Sequence, residues 1–197
     1  FDESVFRNVG SVAKHCLGKM LDKKKNKGEL SPYLRNINVR WFKVTTDDLL
    51  EMKFEIHEHE RYSVKRGDLL ICEGGYPGRS AIWDKDEEIY IQKALHRVRF
   101  PNPFQNVWLM HYLYYLDITD KLKQNFTGSG IQHFTGKALA NLQFPLPADD
   151  VIEKEIKRIT ALHEKIEKAS GISLSKRKNF ESLKLAILAQ ELQSEAA

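Results

Sequence analysis

The sequence predicts an α+β fold: a globular domain over residues 1–147 with a mixed or antiparallel sheet, then a long coiled-coil helix over 148–197. Three observations carry this prediction. Up to Pro147, short apolar runs punctuated by Gly, Pro and Asn surround one helical pattern. Pro145 and Pro147 then mark a boundary, because proline disfavours helix before it and lacks a ladder donor. Beyond them the composition shifts to Glu, Lys, Ile, Leu and Ala in a heptad spacing, with no further proline. At 197 residues and 42% hydrophobic, the chain has enough apolar material for one core and an appendage.

In order, Tyr33-Leu-Arg-Asn-Ile-Asn-Val-Arg-Trp41 partly alternates apolar and polar residues and reads as a strand. Asp68-Leu-Leu-Ile-Cys72 is a short apolar run stopped by Gly74 and Gly75. Ser80-Ala-Ile-Trp83, Ile89-Tyr-Ile91 and Ala94-Leu-His-Arg-Val-Arg-Phe100 follow as further strands. Residues 106–116 are rich in large apolar side chains and form a buried helix with Val107, Met110, Leu113 and Tyr114 on its inner face. Residues 137–142 form one helical turn leading into Phe144-Pro-Leu-Pro147.

Ile152, Ile156, Ile159, His163 and Ile166 follow a 4-3-4-3 spacing, and the register runs on through small residues to Phe180, Lys184 and Ile187. A helix from about 148 to 192 is roughly 68 Å long at 1.5 Å per residue. Such a helix requires a partner helix along its seam. Ile152, Ile156, Ile159, Ile166, Phe180, Leu183 and Ile187 are the candidate dimer contacts. Gly171 weakens the helix by about 1 kcal/mol relative to Ala, and a hairpin folded back at that point is the alternative.

Composition narrows the function. Lys plus Arg number 31 against 27 Asp plus Glu, a net charge of +4 with a pI near 8.9, which permits nucleic acid as a partner without requiring it. The basic residues cluster: Lys19, the run 23–27, then Arg79, Lys93, His96, Arg97 and Arg99, with an acidic stretch over 47–60 between them. One face toward phosphate accounts for this; a solvated surface of mixed sign is the alternative. No apolar run reaches transmembrane length. The start, FDESVFRNVG, lacks the basic region and apolar core of a signal peptide, so none is expected. Cys16 and Cys72 are too few for a disulfide framework, which predicts a cytoplasmic setting.

Catalytic motifs are missing from the sequence. Gly74-Gly-Tyr-Pro-Gly-Arg79 fits neither a Walker loop nor a dinucleotide fingerprint. Gly128-Ser129-Gly130 lacks the spacing of a nucleophile elbow. His57-Glu58-His59 would place two imidazoles on one strand face, but no further ligand stands nearby, so no metal is expected. Asn102-Pro103-Phe104 reads as a turn.

Four segments together resemble the specificity (S) subunit of Type I restriction-modification systems. They are Tyr33-Leu-Arg-Asn-Ile-Asn-Val39; the stretch from Tyr62 through Gly67-Asp-Leu-Leu-Ile-Cys72 and Gly78-Arg-Ser-Ala81; the stretch from Gly128-Ser-Gly130 to Phe144-Pro-Leu-Pro147; and Ser182-Leu-Lys-Leu-Ala-Ile-Leu188. They stand in the family's order over nearly the whole chain. A typical S subunit has two target-recognition domains and two conserved helices, and this chain resembles half of one. The resemblance implies a DNA-recognition domain over 1–147. It implies a helix over 148–197 that pairs antiparallel with a second S chain and docks modification subunits. The partners it implies are double-stranded DNA, the modification (methyltransferase) subunits and the restriction subunit. It implies no catalysis and no cofactor in this chain; S-adenosylmethionine, ATP and Mg would belong to the partner subunits.

Base reading needs bidentate groups, and phosphate binding needs cations, hydroxyls and free amides. The candidate DNA contacts are therefore Lys19, Lys24, Arg35, Asn36, Asn38, Tyr76, Arg79, Gln92, Lys93, His96, Arg97, Ser129, Gln132 and His133. For Asn36 and Asn38 the alternative is turn capping, for Arg35 surface packing, and for Tyr76 and Arg79 a tight turn between strands. Arg79→Ala is expected to weaken DNA binding without lowering thermal stability. Two competing readings remain: a protein-interaction module that docks through its helix without specific DNA binding, and a nuclease or methyltransferase, which the missing motifs oppose.

Overall fold

The computed structural model describes residues 5–194, apart from the side chains of Glu167, Leu174 and residues 185–194. In chain order its elements are β1 (Phe6–Asn8), α1 (Val9–Val12), β2 (Lys14–Leu17), β3 (Glu29–Leu34), β4 (Val39–Arg40), β5 (Lys43–Val44), β6 (Leu50–Phe54), α2 (Ile56–Tyr62), β7 (Ser63–Val64) and β8 (Leu69–Cys72). There follow β9 (Ser80–Ile82), β10 (Ile89–Ile91), β11 (Leu95–Arg99), α3 (Pro103–Ile118), α4 (Gly136–Asn141), β12 (Gln143–Pro145) and α5 (Asp149–Ser194). The chain divides into two compact units, one ending at Glu153 and one beginning at Lys154.

The α+β class is as expected. Two four-stranded sheets stack in the first unit, with strand orders β2-β11-β8-β9 and β6-β3-β10-β7. The first is antiparallel throughout, while β3 and β10 pair in parallel, so the second is mixed. Strand β8 shows why the layers form. Its four residues are all buried, and successive side chains leave opposite faces. Leu69 and Ile71 join Leu109, Leu113 and Leu116 of α3, with Leu139 and Phe144, in one core. Leu70 and Cys72 join Leu34, Ile89 and Ile91 of the second sheet in another. A third cluster, Tyr33, Met52, Phe54 and Tyr90, covers the outer face of the second sheet. Strand β1 pairs with β12, Phe6 opposite Pro145, and ties the start of the described chain to the exit from the domain.

The expected strand over 33–41 is interrupted. Strand β3 stops at Leu34, and residues Asn36–Asn38 form a 3-10 turn. The reason is local: the Asn38 side-chain oxygen accepts the Arg35 amide at 2.8 Å and offers the backbone an alternative to the ladder. Asn102 is also more than a turn. It caps α3 by accepting the Phe104 amide at 3.0 Å, with Pro103 in the first helical turn, so the helix starts before residue 106. His57-Glu58-His59 lies on α2, not on a strand. At i and i+2 on a helix the two imidazoles diverge.

Helix α5 is continuous through Gly171 over 46 residues, about 69 Å, and the fold-back alternative does not occur. Of the seam residues assigned from sequence, Ile152 and Ile156 are buried within the chain, and Ile159 is half-buried. Leu162, Ile166, Phe180 and Leu183 are exposed, with Ile166 at 58% and Phe180 at 67%. The Ile187 side chain lies outside the described residues. Among the described residues no helix is long and apolar enough to cross a membrane.

Candidate nucleic-acid interface

The loop joining β8 to β9, residues 73–79, organises the site. Gly75 and Gly78 hold positive φ, 77° and 82°, which a Cβ would disfavour. A Cβ would also stand 2.4 Å from the Asn36 amide nitrogen at Gly75, and 2.4 Å from Leu122 Cδ2 at Gly78. The loop is thus pressed against two other segments. Asn36 fastens both of its sides: Asn36 Nδ2 donates to the Gly74 carbonyl at 3.1 Å, and the Arg79 guanidinium donates to the Asn36 carbonyl at 3.2 Å.

Arg79 also lies 5.2 Å over the Tyr76 ring. The Tyr76 hydroxyl donates to Asp117 of α3 at 3.2 Å, and that carboxylate raises the phenol above its ordinary pKa, keeping it a donor. A second loop joins from the other side. Thr127 and His133 exchange backbone hydrogen bonds of 2.9 and 2.8 Å, and Phe134 N–H donates to the Glu73 carbonyl at 2.8 Å. His133 thereby stands beside Gly74, and Ser129, Ile131 and Gln132 form an exposed tip.

Of the candidate residues, Asn36, Tyr76, Arg79 and His133 are brought together in one loop cluster, with Ser129 and Gln132 at its edge. The turn of Gln92 and Lys93 adjoins it, because the Ala94 carbonyl accepts the Glu73 amide at 2.8 Å. Lys93 is exposed and Gln92 half-buried. Lys24 is exposed on a turn whose Asp22 carboxylate accepts the Lys24 and Lys25 amides at 3.0 and 3.1 Å; this turn is no part of the cluster.

Five candidates have work inside the protein instead. Lys19 is 7% exposed, pairs with Glu58 and donates to the Lys53 carbonyl at 2.9 Å. Arg35 and Asn38 share Asp48: the guanidinium bonds one carboxylate oxygen at 2.8 Å and the Asn38 amide the other at 2.7 Å. Strand alternation in β11 turns His96 and Arg97 to opposite interiors. His96 Nε2 meets the Phe134 carbonyl at 2.8 Å. Arg97 donates to the Ser63 and Glu60 carbonyls at 2.5 and 3.3 Å, satisfying acceptors at the C-terminal end of α2. Lys19, Arg35, Asn38, His96 and Arg97 thus each have a partner within the chain.

Two outcomes follow for experiment. Arg79 is also a structural ligand of Asn36, so Arg79→Ala is expected to cost about 1 kcal/mol of stability, which corrects the expectation of an unchanged melting temperature. A differential melt against the parent chain measures it, and an identical Tm would return Arg79 to a purely surface role. Burial lowers the His96 pKa below its ordinary value of 6.5, against the weaker opposing effect of the Phe134 bond and Glu73. The folded state therefore binds fewer protons than the unfolded state. Stability is complete above pH 6.5 and is lost as pH falls from there toward the lowered value. Tm measured from pH 8 to 5.5 should fall less in His96→Gln; equal slopes would remove His96 as the cause.

Glu55, His57 and Glu58 place ligand atoms within 4.8 Å of one another, but Glu58 is committed to Lys19 and to the Glu55 amide. Asp48 and Asp117 are site residues that the sequence does not single out. Each meets its partners through tertiary contact alone, and no local pattern marks it.

A family model described as the Type I restriction modification DNA specificity domain matches residues 2–176. No curated protein matches the chain in sequence. Among solved structures, a chain from a study of complex assembly and conformational transition of the type I R-M system superposes with a TM-score of 0.71 at 17% identity, covering 93% of this chain and 45% of that one. The HsdS subunit from Thermoanaerobacter tengcongensis gives 0.58 at 17% identity, covering 82% and 38%. The S subunit from M. genitalium gives 0.53 at 14% identity, covering 83% and 40%. The chain spans less than half the length of these structural relatives, and the likeness concerns the fold.

Proposed function

The chain belongs to the Type I restriction modification DNA specificity domain family, and from that premise we propose that it reads one half-site of duplex DNA and directs partner subunits to it. The reading unit is the domain over residues 1–147, and the segment over 148–197, which carries α5, is the spacer, dimer and docking element. The observation that supports this most is the convergence of the 73–79 loop, Asn36 and the 127–133 hairpin. It presents Tyr76, Ser129, Gln132 and His133 beside a guanidinium, which is the mixture of donors, acceptors and cation that base edges and phosphates require.

The chain performs no chemistry of its own in this reading. Methylation with S-adenosylmethionine and ATP-driven cleavage belong to the modification and restriction subunits. The exposed apolar residues of α5 pair antiparallel with those of a second chain, joining two reading domains at a fixed separation. Work on DNA with such partners implies a cytoplasmic location.

Selection from random duplex DNA by the chain assembled with its modification subunits, followed by sequencing, tests the reading. An inverted repeat with a fixed gap is the expected result for the paired chain. One short motif without a repeat would retain DNA reading and remove the pairing. No enrichment from a folded complex would overturn DNA reading in favour of a protein-interaction module. Phosphate contacts also require affinity to fall steeply with salt.

A further inference from the structure

The hairpin of β4 and β5 carries two local conflicts. Its register puts Arg40 directly opposite Lys43. Like charges so placed repel, both side chains are exposed, and neither is in an ion pair among the described residues. Its two-residue turn is Trp41-Phe42, and Phe42 holds φ at 63°. This is the position where Gly or Asn is expected, and a bulky residue persists there only where its surroundings over-determine it.

The surroundings do so. The Phe42 amide donates to the Ser80 carbonyl at 3.1 Å. The ring meets Tyr114 edge-on at 4.9 Å, His111 at 5.3 Å and Trp41 at 6.1 Å. Trp41 in turn meets Tyr114 at 5.1 Å. Tyr114 lies one helical turn from Asp117, which holds Tyr76, so this aromatic group is continuous with the loop cluster. Despite three ring neighbours Phe42 remains 37% exposed. The result is a rigid apolar tip between two unneutralised cations.

We propose that Phe42 is an apolar wedge that presses against a base step of the duplex while Arg40 and Lys43 hold phosphates on either side. An anionic surface relieves the Arg40 and Lys43 repulsion, and an apolar gap between unstacked bases accepts the ring. Wedging favours flexible pyrimidine–purine steps, so Phe42 contributes to specificity without a hydrogen bond to a base. The inference rests on the DNA-reading function proposed above and adds the device by which the duplex is deformed.

The test uses the full chain assembled with its modification subunits and the duplex enriched by selection, end-labelled for energy transfer. The parent complex is expected to bend the duplex. Phe42→Ala should lose the bend and about ten-fold in affinity, while Phe42→Leu, which keeps an apolar wedge, retains most of both. Phe42→Gly relaxes the backbone and removes the ring, so it keeps the test decisive where Phe42→Ala fails to fold. Changing Arg40 and Lys43 together to Gln should reduce the slope of log affinity against log salt by about two. Equal bend and affinity in the parent, Ala and Gly forms would overturn the wedge and leave DNA reading intact. So would a Phe42→Ala form that loses only its hold on the modification subunits. A parent complex that enriches no duplex removes both.

Discussion

Replacing Asp68 by alanine is expected to cost about 3 kcal/mol and to lower Tm by roughly 6–12 °C in a chain of this size. Asp68 is 2% exposed at the turn into β8. Its two carboxylate oxygens each accept from Arg99 at 2.6 Å, a fork that is strong because it is charged and bidentate. One oxygen also accepts the Lys65 amide at 2.8 Å, and the Asp68 backbone carbonyl accepts Trp83 N–H at 2.9 Å. Removing the carboxylate leaves a guanidinium, itself only 30% exposed, without its counter-charge, and a turn amide without its acceptor. The double change Asp68→Ala with Arg99→Met should recover much of the loss, because breaking half of a buried pair is worse than removing all of it. Thermal melts of the parent chain and the two variants check this. A single-variant loss under about 1 kcal/mol would show that the turn holds without the pair.

The second large effect concerns α5. Ile166→Glu with Phe180→Glu should convert the proposed two-chain assembly into single chains, seen as a halving of mass in sedimentation. Both side chains are exposed, so neither change removes a contact within the chain that the structure records. An antiparallel partner would bury each near the other's counterpart, and a carboxylate in that seam costs more than the lost methylenes. The same double variant should select a single half-site from random DNA where the parent selects a repeat. A variant of unchanged mass would show that another surface joins the chains, or that none does.

Much of the architecture was legible because it rests on local rules. The apolar run of β8, the strand at Ile89–Ile91, the proline exit at Pro145 and Pro147, and the long helix all follow from periodicity and backbone chemistry. The candidate site was legible only in part. Asn36, Tyr76, Arg79 and His133 meet as a group, and glycine spacing pointed to their loop. Lys19, Arg35, Asn38, His96 and Arg97 did not, since a polar residue on a half-buried strand or turn carries no sign of which way it faces. Phe42 was invisible for the opposite reason. An exposed aromatic beside a tryptophan reads as ordinary core until its φ and ring neighbours are known.

The sequence by itself determined the class of fold, the long helical pattern beyond Pro147 and the family, while the continuity of that helix through Gly171 came from the structure. Each of the first three is written in residues close together along the chain. Only the tertiary structure decided which polar groups serve the interior and which face outward. The deciding partners are distant: Arg79 and Asn36 are 43 residues apart, Tyr76 and Asp117 41, Lys19 and Glu58 39. A buried charge or amide is stable only when such a partner satisfies it. Its role is therefore a property of the folded packing, and local periodicity cannot encode it.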